Sequence, residues 1–447
     1  MKKREVWSTQ FGFILASAGA AIGLGQIWKF PYMTGQNGGS SFVFFYFLFI
    51  ALLAVPSFLG EVTIGALGKK GPVDSLRELS KKYGGSPLWK YLGYLGLVTL
   101  FLVLCFYNVA ASWALAFMGK SLMTASVSPG FFGELLSSPL LMFFYFLLYT
   151  VTCYVVVALG VRKGIERVCL FLLPPLFLIL IFIVLWSTSL EGFGEACLYL
   201  FSFNLEKINM TVLMEAAGHA LFSLATGAGC ALVYGSHVPE GVKIGQATLA
   251  IVVGNLFVAI LAGLAIFPTV FTFHLSPAAG PTLMFEVLPR AFSEMSYGVV
   301  IANAFFFVLL SAALTSTISL IEPLVATLIE KFNFSRKLAC LLVFLVSLPP
   351  SIMFILSFNL LGDVTIFGKG IFEFFADYMS SFLLSIGAIC FAFFATRVIP
   401  KHEFMSLFSS SKGEKCLGTL AHKTLYYLVP LALVVILLNQ ILSHLSF

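Results

Sequence analysis

Apolar runs longer than the ~18 residues that mark a membrane-spanning helix recur along the whole chain. Inside a bilayer every backbone amide and carbonyl needs a partner within the protein, so such runs fold as helices or as closed barrels. Barrel strands alternate apolar and polar residues over about ten positions, and that alternation is missing here. The chain therefore reads as an all-α polytopic membrane protein. Only 10% of its 447 residues are charged, and its mean hydropathy is +1.00. A soluble domain carries roughly 25% charged residues. A cytosolic enzyme, a secreted module and a disordered tail are thereby excluded, because too few polar side chains exist to cover a water-facing surface.

Setting the runs against loop signals gives eleven segments, at about 11–36, 40–68, 88–119, 139–160, 164–188, 212–237, 244–273, 297–331, 336–358, 370–397 and 424–444. The basic N-terminus and the Ala-Ser-Ala at 16–18 resemble a signal peptide. The stretch is interrupted by glycines and followed by Trp28, Lys29, Phe30 and Pro31, so it reads as an uncleaved first segment. With a cytoplasmic N-terminus, 21 of the 26 Lys and Arg residues fall in cytoplasmic parts and four (Lys120, Lys207, Arg290, Lys369) in external loops. Lys29 lies within the membrane. That asymmetry is the positive-inside signature, and an odd number of spans leaves the C-terminus external. The net charge of +6 is explained by orientation, with no need for a nucleic-acid partner. The eight cysteines lie mostly within apolar runs, without metal-ligand spacing, and read as small buried apolar residues.

Two segments carry glycine clusters near their middles: Gly19, Gly23 and Gly25 in the first, and Gly227 and Gly229 in the sixth. Glycine costs roughly 1 kcal/mol against Ala in a helix interior. Unwound backbone at membrane depth is tolerated only where it lines a cavity. There, carbonyls can coordinate a cation and half-helix N-termini can hold a carboxylate. Close helix packing is the alternative use of small residues. Placement in segments one and six, matching positions of two five-segment halves, is what an inverted-repeat transporter predicts. Glu61, Asn108, Glu215, His219, Asn255, Glu322, Glu373 and Asp377 sit in or near apolar runs, where polar groups are costly and tend to be functional. The hydroxyl run Thr315-Ser316-Thr317 is also compatible with simple bonding to the preceding helical turn.

The run from Gly12 to Tyr32, followed by Gln36-Asn37-Gly38-Gly39, resembles the first-helix signature of the neurotransmitter:sodium symporters. Lys163 to Arg167, Leu314-Thr315-Ser316 and Ser335-Arg336-Lys337 are similar to that family's fifth, eighth and ninth helices. The resemblance covers nearly the whole chain and is to the eleven-helix bacterial branch, which includes amino-acid transporters. It implies one transporter domain over 1–447, a 5+5 inverted repeat with broken helices 1 and 6 and eleven transmembrane helices. The halves would be about 11–188 and 212–397, with an extra helix at about 424–444. The implied location is the bacterial inner membrane, multi-pass.

Residue by residue, the resemblance implies two sodium ions. The first would meet the Ala21 carbonyl, Gln26, Ser223, Asn255 and the substrate carboxylate, with Gln26 standing where the family usually has Asn. The second would meet carbonyls of Gly19, Ile22 and Ala312 and the hydroxyls of Thr315 and Ser316. The substrate, an amino acid, would place its carboxylate at the Leu24 and Gly25 amides and the Tyr107 hydroxyl. Its ammonium would face carbonyls of Ala21, Phe222 and Ser223. Its side chain would lie among Val103, Tyr107, Phe222, Ala225, Ala228, Ser316 and Leu320. Lys29, where the family usually has Arg, and Asp377 would form an outer gate; Arg4 with Glu330, and Trp7, an inner one. Positions that ring a chloride ion in some relatives match Tyr46, His219, Ser223, Asn255 and Ala259. With His219 in place of Gln and no carboxylate, the implied transport is chloride-independent, with His219 taking a proton; a neutral His donating a hydrogen bond, as Gln would, is the alternative. Small side chains at Ala225 and Ala228 between apolar walls imply large hydrophobic substrates over Gly, Ala, Glu or Lys. The rival readings are a channel or membrane sensor, and a membrane enzyme. No Walker A, HExxH or GxSxG run supports an ATP-driven pump or hydrolytic chemistry.

Overall fold

The computed structural model describes residues 9–445 apart from 125, 127–128, 205–207, 239–241, 279 and 409–410. Among the described residues the chain is almost entirely helical. In order, the helices are α1 (Gln10–Ala21), α2 (Gly25–Gln36), α3 (Ser40–Gly68), α4 (Pro72–Lys82), α5 (Pro87–Thr124), α6 (Phe131–Ser137), α7 (Pro139–Ala158), α8 (Val161–Ser187) and α9 (Phe193–Phe201). They continue as α10 (Met210–Ser223), α11 (Cys230–Ser236), α12 (Ile244–Thr272), α13 (Val287–Glu294), α14 (Gly298–Phe332), α15 (Arg336–Leu356), α16 (Ile371–Val398), α17 (Lys401–Ser406) and α18 (Lys412–Gln440). A two-residue hairpin, β1 (Thr365–Ile366) with β2 (Lys369–Gly370), precedes α16.

Polar side chains start several of these helices. Thr9 accepts from the Gly12 amide at 3.0 Å, and Asn209 accepts from the Val212 amide at 2.9 Å. Each satisfies one of the amides that a helix start leaves without an internal partner.

Among the described residues nine helices are long and apolar enough to cross a membrane, and the bent pair α1–α2 makes a tenth line. The sixth expected segment is no single long helix: it is α10 and α11, of 14 and 7 residues, on either side of 224–229. The third and eleventh segments run further than hydropathy indicated, α5 to Thr124 and α18 back to Lys412. Short helices α4, α6, α9 and α13 occupy stretches read from sequence as loops.

The broken lines are central. The α1 half packs on α12 and α14, α10 and α11 on α3, and α14 also on α5 and α8. Phe13, Ile22, Ile27 and Phe30 are buried, whereas Phe171, Leu178 and Leu185 point outward from α8. An outward apolar surface fits hydrocarbon surroundings, which exact no cost for it.

Candidate functional site

The first break is short. Ile22 leaves helical geometry (φ −84°, ψ 81°), and α2 restarts at an angle of 45° to α1 with a π-helical turn, Gly25–Lys29. The second break spans 224–229, where Ala225, Gly227 and Gly229 have φ of 50°, 90° and 77°. Both breaks face the middle of α5 and α14, and a cavity of about 40 Å³ lies between them.

Ala21, Gly25, Val103, Tyr107, Phe222, Ser223, Ala225, Ala228, Ser316 and Leu320 line this cavity. The structure thus brings together, from four separate stretches of chain, nearly all the residues assigned to substrate from sequence. Leu24 is placed differently. It lines a second cavity of about 10 Å³ directly above, together with Trp28, Lys29, Tyr32 and Asp377. Tyr107 and Phe222 border both cavities and divide them. None of the residues lining the lower cavity is charged.

Hydroxyl side chains from α5 and α14 meet the backbone of the first break. The Tyr107 hydroxyl accepts from the Leu24 amide at 2.9 Å, a group freed by the break. Ser316 Oγ donates to the carbonyls of Gly19 (3.0 Å) and Ala20 (3.3 Å). Thr315 Oγ1 donates back along its own helix to Ser311 and Ala312. Among the five groups assigned to the second sodium ion, Gly19, Ala312, Thr315 and Ser316 are therefore in contact. The carbonyl that Ser316 meets beside Gly19 is that of Ala20, where the sequence reading placed Ile22.

Gly23 is the tightest glycine of the first break. A Cβ there would stand 2.1 Å from Ser316 Oγ and 2.6 Å from Tyr107 Oη.

Around the other cation position, the Tyr46 hydroxyl donates to Gln26 Oε1 at 3.0 Å and lies beside Ser223 and Asn255. Ser223 Oγ donates to the Ala220 carbonyl. Asn255 is fully buried with neither amide atom bonded, and Gln26 Nε2 is likewise unbonded. Buried polar atoms without partners are rare, because each carries the cost of its lost hydration. A carboxamide oxygen of this kind suits a hard monovalent cation. His219 is adjacent, its ring 5.0 Å from that of Tyr46 and stacked at 6.5 Å on Phe222, with both nitrogens unbonded.

Above, Lys29 Nζ lies 3.0 Å from Asp377 Oδ1, bonds the Ala376 carbonyl, and sits 4.7 Å over the Phe222 ring. Below, Glu330 accepts from the Gly71 amide at 2.7 Å. Arg4 and Trp7 lie outside the described residues.

Four cavity residues were missed in the sequence: Ala20, Gly23, Leu100 and Leu384. Leu100 precedes Val103 by one helical turn, so helical spacing could have found it. Leu384 carries no local signal. Glu61, noted only as a buried carboxyl, accepts a short hydrogen bond from the Gly227 amide and faces the amides of Gly229, Ala231 and Leu232. It anchors the second break from α3. Glu322 pairs with Arg336 across the α14–α15 turn.

Comparison with known proteins gives consistent results. The family model described as the sodium:neurotransmitter symporter family matches residues 4–127 and 138–446. The chain is 35% identical over 452 residues to a Bacillus subtilis (strain 168) protein named as an uncharacterized sodium-dependent transporter, covering 98% of both chains. It is 25% identical to the sodium- and chloride-dependent GABA transporter 2 of Mus musculus, over 74% of this chain and 62% of that one. The crystal structure of MhsT in complex with L-phenylalanine superposes with a TM-score of 0.91 at 35% identity, covering 98% of this chain and 100% of that one.

Proposed function

The chain belongs to the sodium:neurotransmitter symporter family, and from that premise we propose that it imports amino acids, large hydrophobic or aromatic ones, together with sodium by alternating access. It is a sodium-dependent membrane transporter and no enzyme. The observation that carries the substrate class is the cavity between the two breaks. Backbone groups freed at the first break sit at one end, and apolar walls without a charged side chain form the rest. A zwitterion needs polar partners for its ends only, and a second substrate charge would be buried there unpaired. The MhsT structure, a complex with L-phenylalanine, supports the same class.

Substrate binding follows from these contacts. The arriving carboxylate takes the Leu24 amide, now bonded to Tyr107, and the Tyr107 hydroxyl turns to donate its proton to the carboxylate. At about 40 Å³ the lower cavity is narrow, so a large side chain is seated by a swing of the Phe222 ring that joins it to the upper cavity. The Phe222 ring also carries Lys29 on its face, which couples seating of the side chain to the Lys29–Asp377 latch. Two sodium ions enter as co-substrates. One is held by the Ala21 carbonyl, Gln26, Ser223 and Asn255 with the substrate carboxylate. The other is held by Gly19, Ile22 and Ala312 carbonyls with Thr315 and Ser316. Neutral oxygen ligands balance a monovalent cation without surplus negative charge. The two halves, about 11–188 and 212–397, rock about this centre. Glu330 stands on its inner side.

Transport is chloride-independent on this reading. Tyr46, His219, Ser223 and Asn255 form the position that relatives give to the anion, and Ala259 supplies no hydroxyl. His219, whose ring nitrogens are both unbonded, carries a proton that it releases outward as sodium binds, so that charge is balanced by proton antiport in place of the anion.

Competition uptake into proteoliposomes tests the substrate. Trp, Phe or Leu should displace labelled substrate at lower concentration than Gly or Ala. Better displacement by Gly or Ala would mean that the narrow cavity keeps its walls in place. Replacing both Thr315 and Ser316 by Ala should abolish sodium-stimulated binding at unchanged expression, and an unaltered sodium response would remove the second ion's assignment. Uptake measured with gluconate for chloride, from pH ~5.5 to ~8 around the usual His range, addresses His219. A chloride requirement with a flat pH profile contradicts it.

A further inference from the structure

Two cavities meet at the end of the bundle that carries the 69–71 and 333–335 turns. The first, of about 270 Å³, is polar and lined by Asp74, Arg77, Lys90, Tyr94, Glu330 and Lys331 among others. The second, of about 430 Å³, runs between α5, α14 and α15 and is almost wholly apolar, with Leu97, Phe101, Leu328, Phe332, Val343 and Val346 on its walls. Tyr94, Thr327 and Lys331 line both, so the two form one cleft with a polar head and an apolar tail.

The charges in the head do not cancel. Asp74 pairs with Arg77 at 2.9 Å, and Glu330 accepts from the Gly71 amide. Among the described residues Lys90 and Lys331 have no ion-pair partner. Lys90 lies 5.0 Å over the Tyr91 ring, and Lys331 donates to the Tyr94 hydroxyl at 2.6 Å. The tail opens on the outer surface of the bundle, where Phe332 is 52% and Val346 60% exposed. That surface meets hydrocarbon, and the head sits on the lysine-rich side of the chain.

We propose that this cleft binds one anionic phospholipid, its phosphate between Lys90 and Lys331 beside the Tyr94 hydroxyl, and one acyl chain along the groove from Leu97 to Val346. A soluble anion has no use for the apolar tail, and a zwitterionic lipid gains little from the two lysines. Basic groups at the cytoplasmic leaflet attract anionic headgroups. Because the cleft is built from the starts of α4 and α5 and the α14–α15 turn, an occupant ties these elements together. The proposal is independent of the substrate and sodium assignments.

The test uses the full chain purified in detergent, delipidated, then exposed to phosphatidylglycerol, phosphatidylcholine or sn-glycerol 3-phosphate. Bound lipid is counted by native mass spectrometry, and thermal stability is followed in parallel. Wild type should retain one phosphatidylglycerol in preference to phosphatidylcholine and gain thermal stability from it. Lys90→Gln with Lys331→Gln should weaken that retention about thirty-fold, from the usual contribution of two interfacial lysines. Lys120→Gln, at the opposite end, should leave it unchanged. Val346→Trp, at an exposed position that tolerates bulk, should displace the acyl chain while leaving both lysines intact. Equal retention of the two lipids, retention unaffected by either the lysine pair or Val346→Trp, or full competition by glycerol phosphate would each overturn the proposal.

Discussion

The two helix breaks use glycine for opposite reasons. At the first, no residue from Ile22 to Leu24 has positive φ; Gly23 is needed for space, because its missing Cβ is where Ser316 and Tyr107 converge. At the second, Gly227 is left-handed (φ 90°) and pressed on α16: a Cβ would stand 2.0 Å from the Leu384 carbonyl oxygen. Gly387 on α16 returns the contact, with its own missing Cβ 1.7 Å from the Gly227 oxygen. One glycine clears room for movable side chains around the ligand position. The other permits a backbone shape and a backbone-to-backbone approach. The first break should therefore be functionally sensitive, and the second structurally so.

Gly227→Ala should have the largest effect. Left-handed geometry costs a non-glycine residue roughly 1–2 kcal/mol, and overpacking about 1–3 kcal/mol more. The neighbouring atoms are backbone and cannot turn aside. A lowered unfolding midpoint in detergent and loss of the monodisperse peak are the readouts, and a variant as stable as wild type would break the contrast.

Gly23→Ala comes next and should separate the two quantities. Its clashes are with the ends of Ser316 and Tyr107, which can rotate. The protein should stay folded, while sodium-dependent substrate binding falls at least tenfold in a titration. Intact binding in a folded Gly23→Ala protein would show that the first break needs no clearance.

Glu61 sharpens the second break. Glu61→Ala leaves the buried Gly227 amide without its acceptor, a loss of about 1–3 kcal/mol. Glu61→Gln keeps an acceptor oxygen and should restore most of that stability in the same melting assay. Equal destabilisation by Ala and Gln would shift the role from hydrogen bonding to charge.

The smallest effect is expected at Ala225→Gly. Ala225 already sits at φ 50°, so glycine relieves roughly 1–2 kcal/mol of strain and gives back about 0.5–1 kcal/mol in chain entropy. A midpoint within a few degrees of wild type is the outcome, in contrast to the reverse change two residues later.

By itself the sequence determined the helical class, eight of the nine long spans to within five residues, the site of both breaks and most of the cavity wall. The reason is that bilayer hydrocarbon imposes a local rule: each span must be apolar and internally bonded, so Ser40–Gly68 is legible without knowing its neighbours. The glycine clusters at 19–25 and 227–229 were legible on the same ground, since a helix is weakened by what lies within it. The cavity residues were legible only through the family resemblance, because Val103 or Leu320 alone is indistinguishable from ordinary packing.

What only the tertiary structure decided is who meets whom. That the Leu24 amide is taken by Tyr107, 83 positions away, that Glu61 holds the second break, and that Leu384 walls the cavity depend on contacts between segments distant in the chain. Apolar helices of this kind are alike on every face, so no periodicity indicates which face turns inward. The short helices α4 and α13 escaped for a related reason: they are too short for hydropathy to signal and are held by the bundle on which they pack.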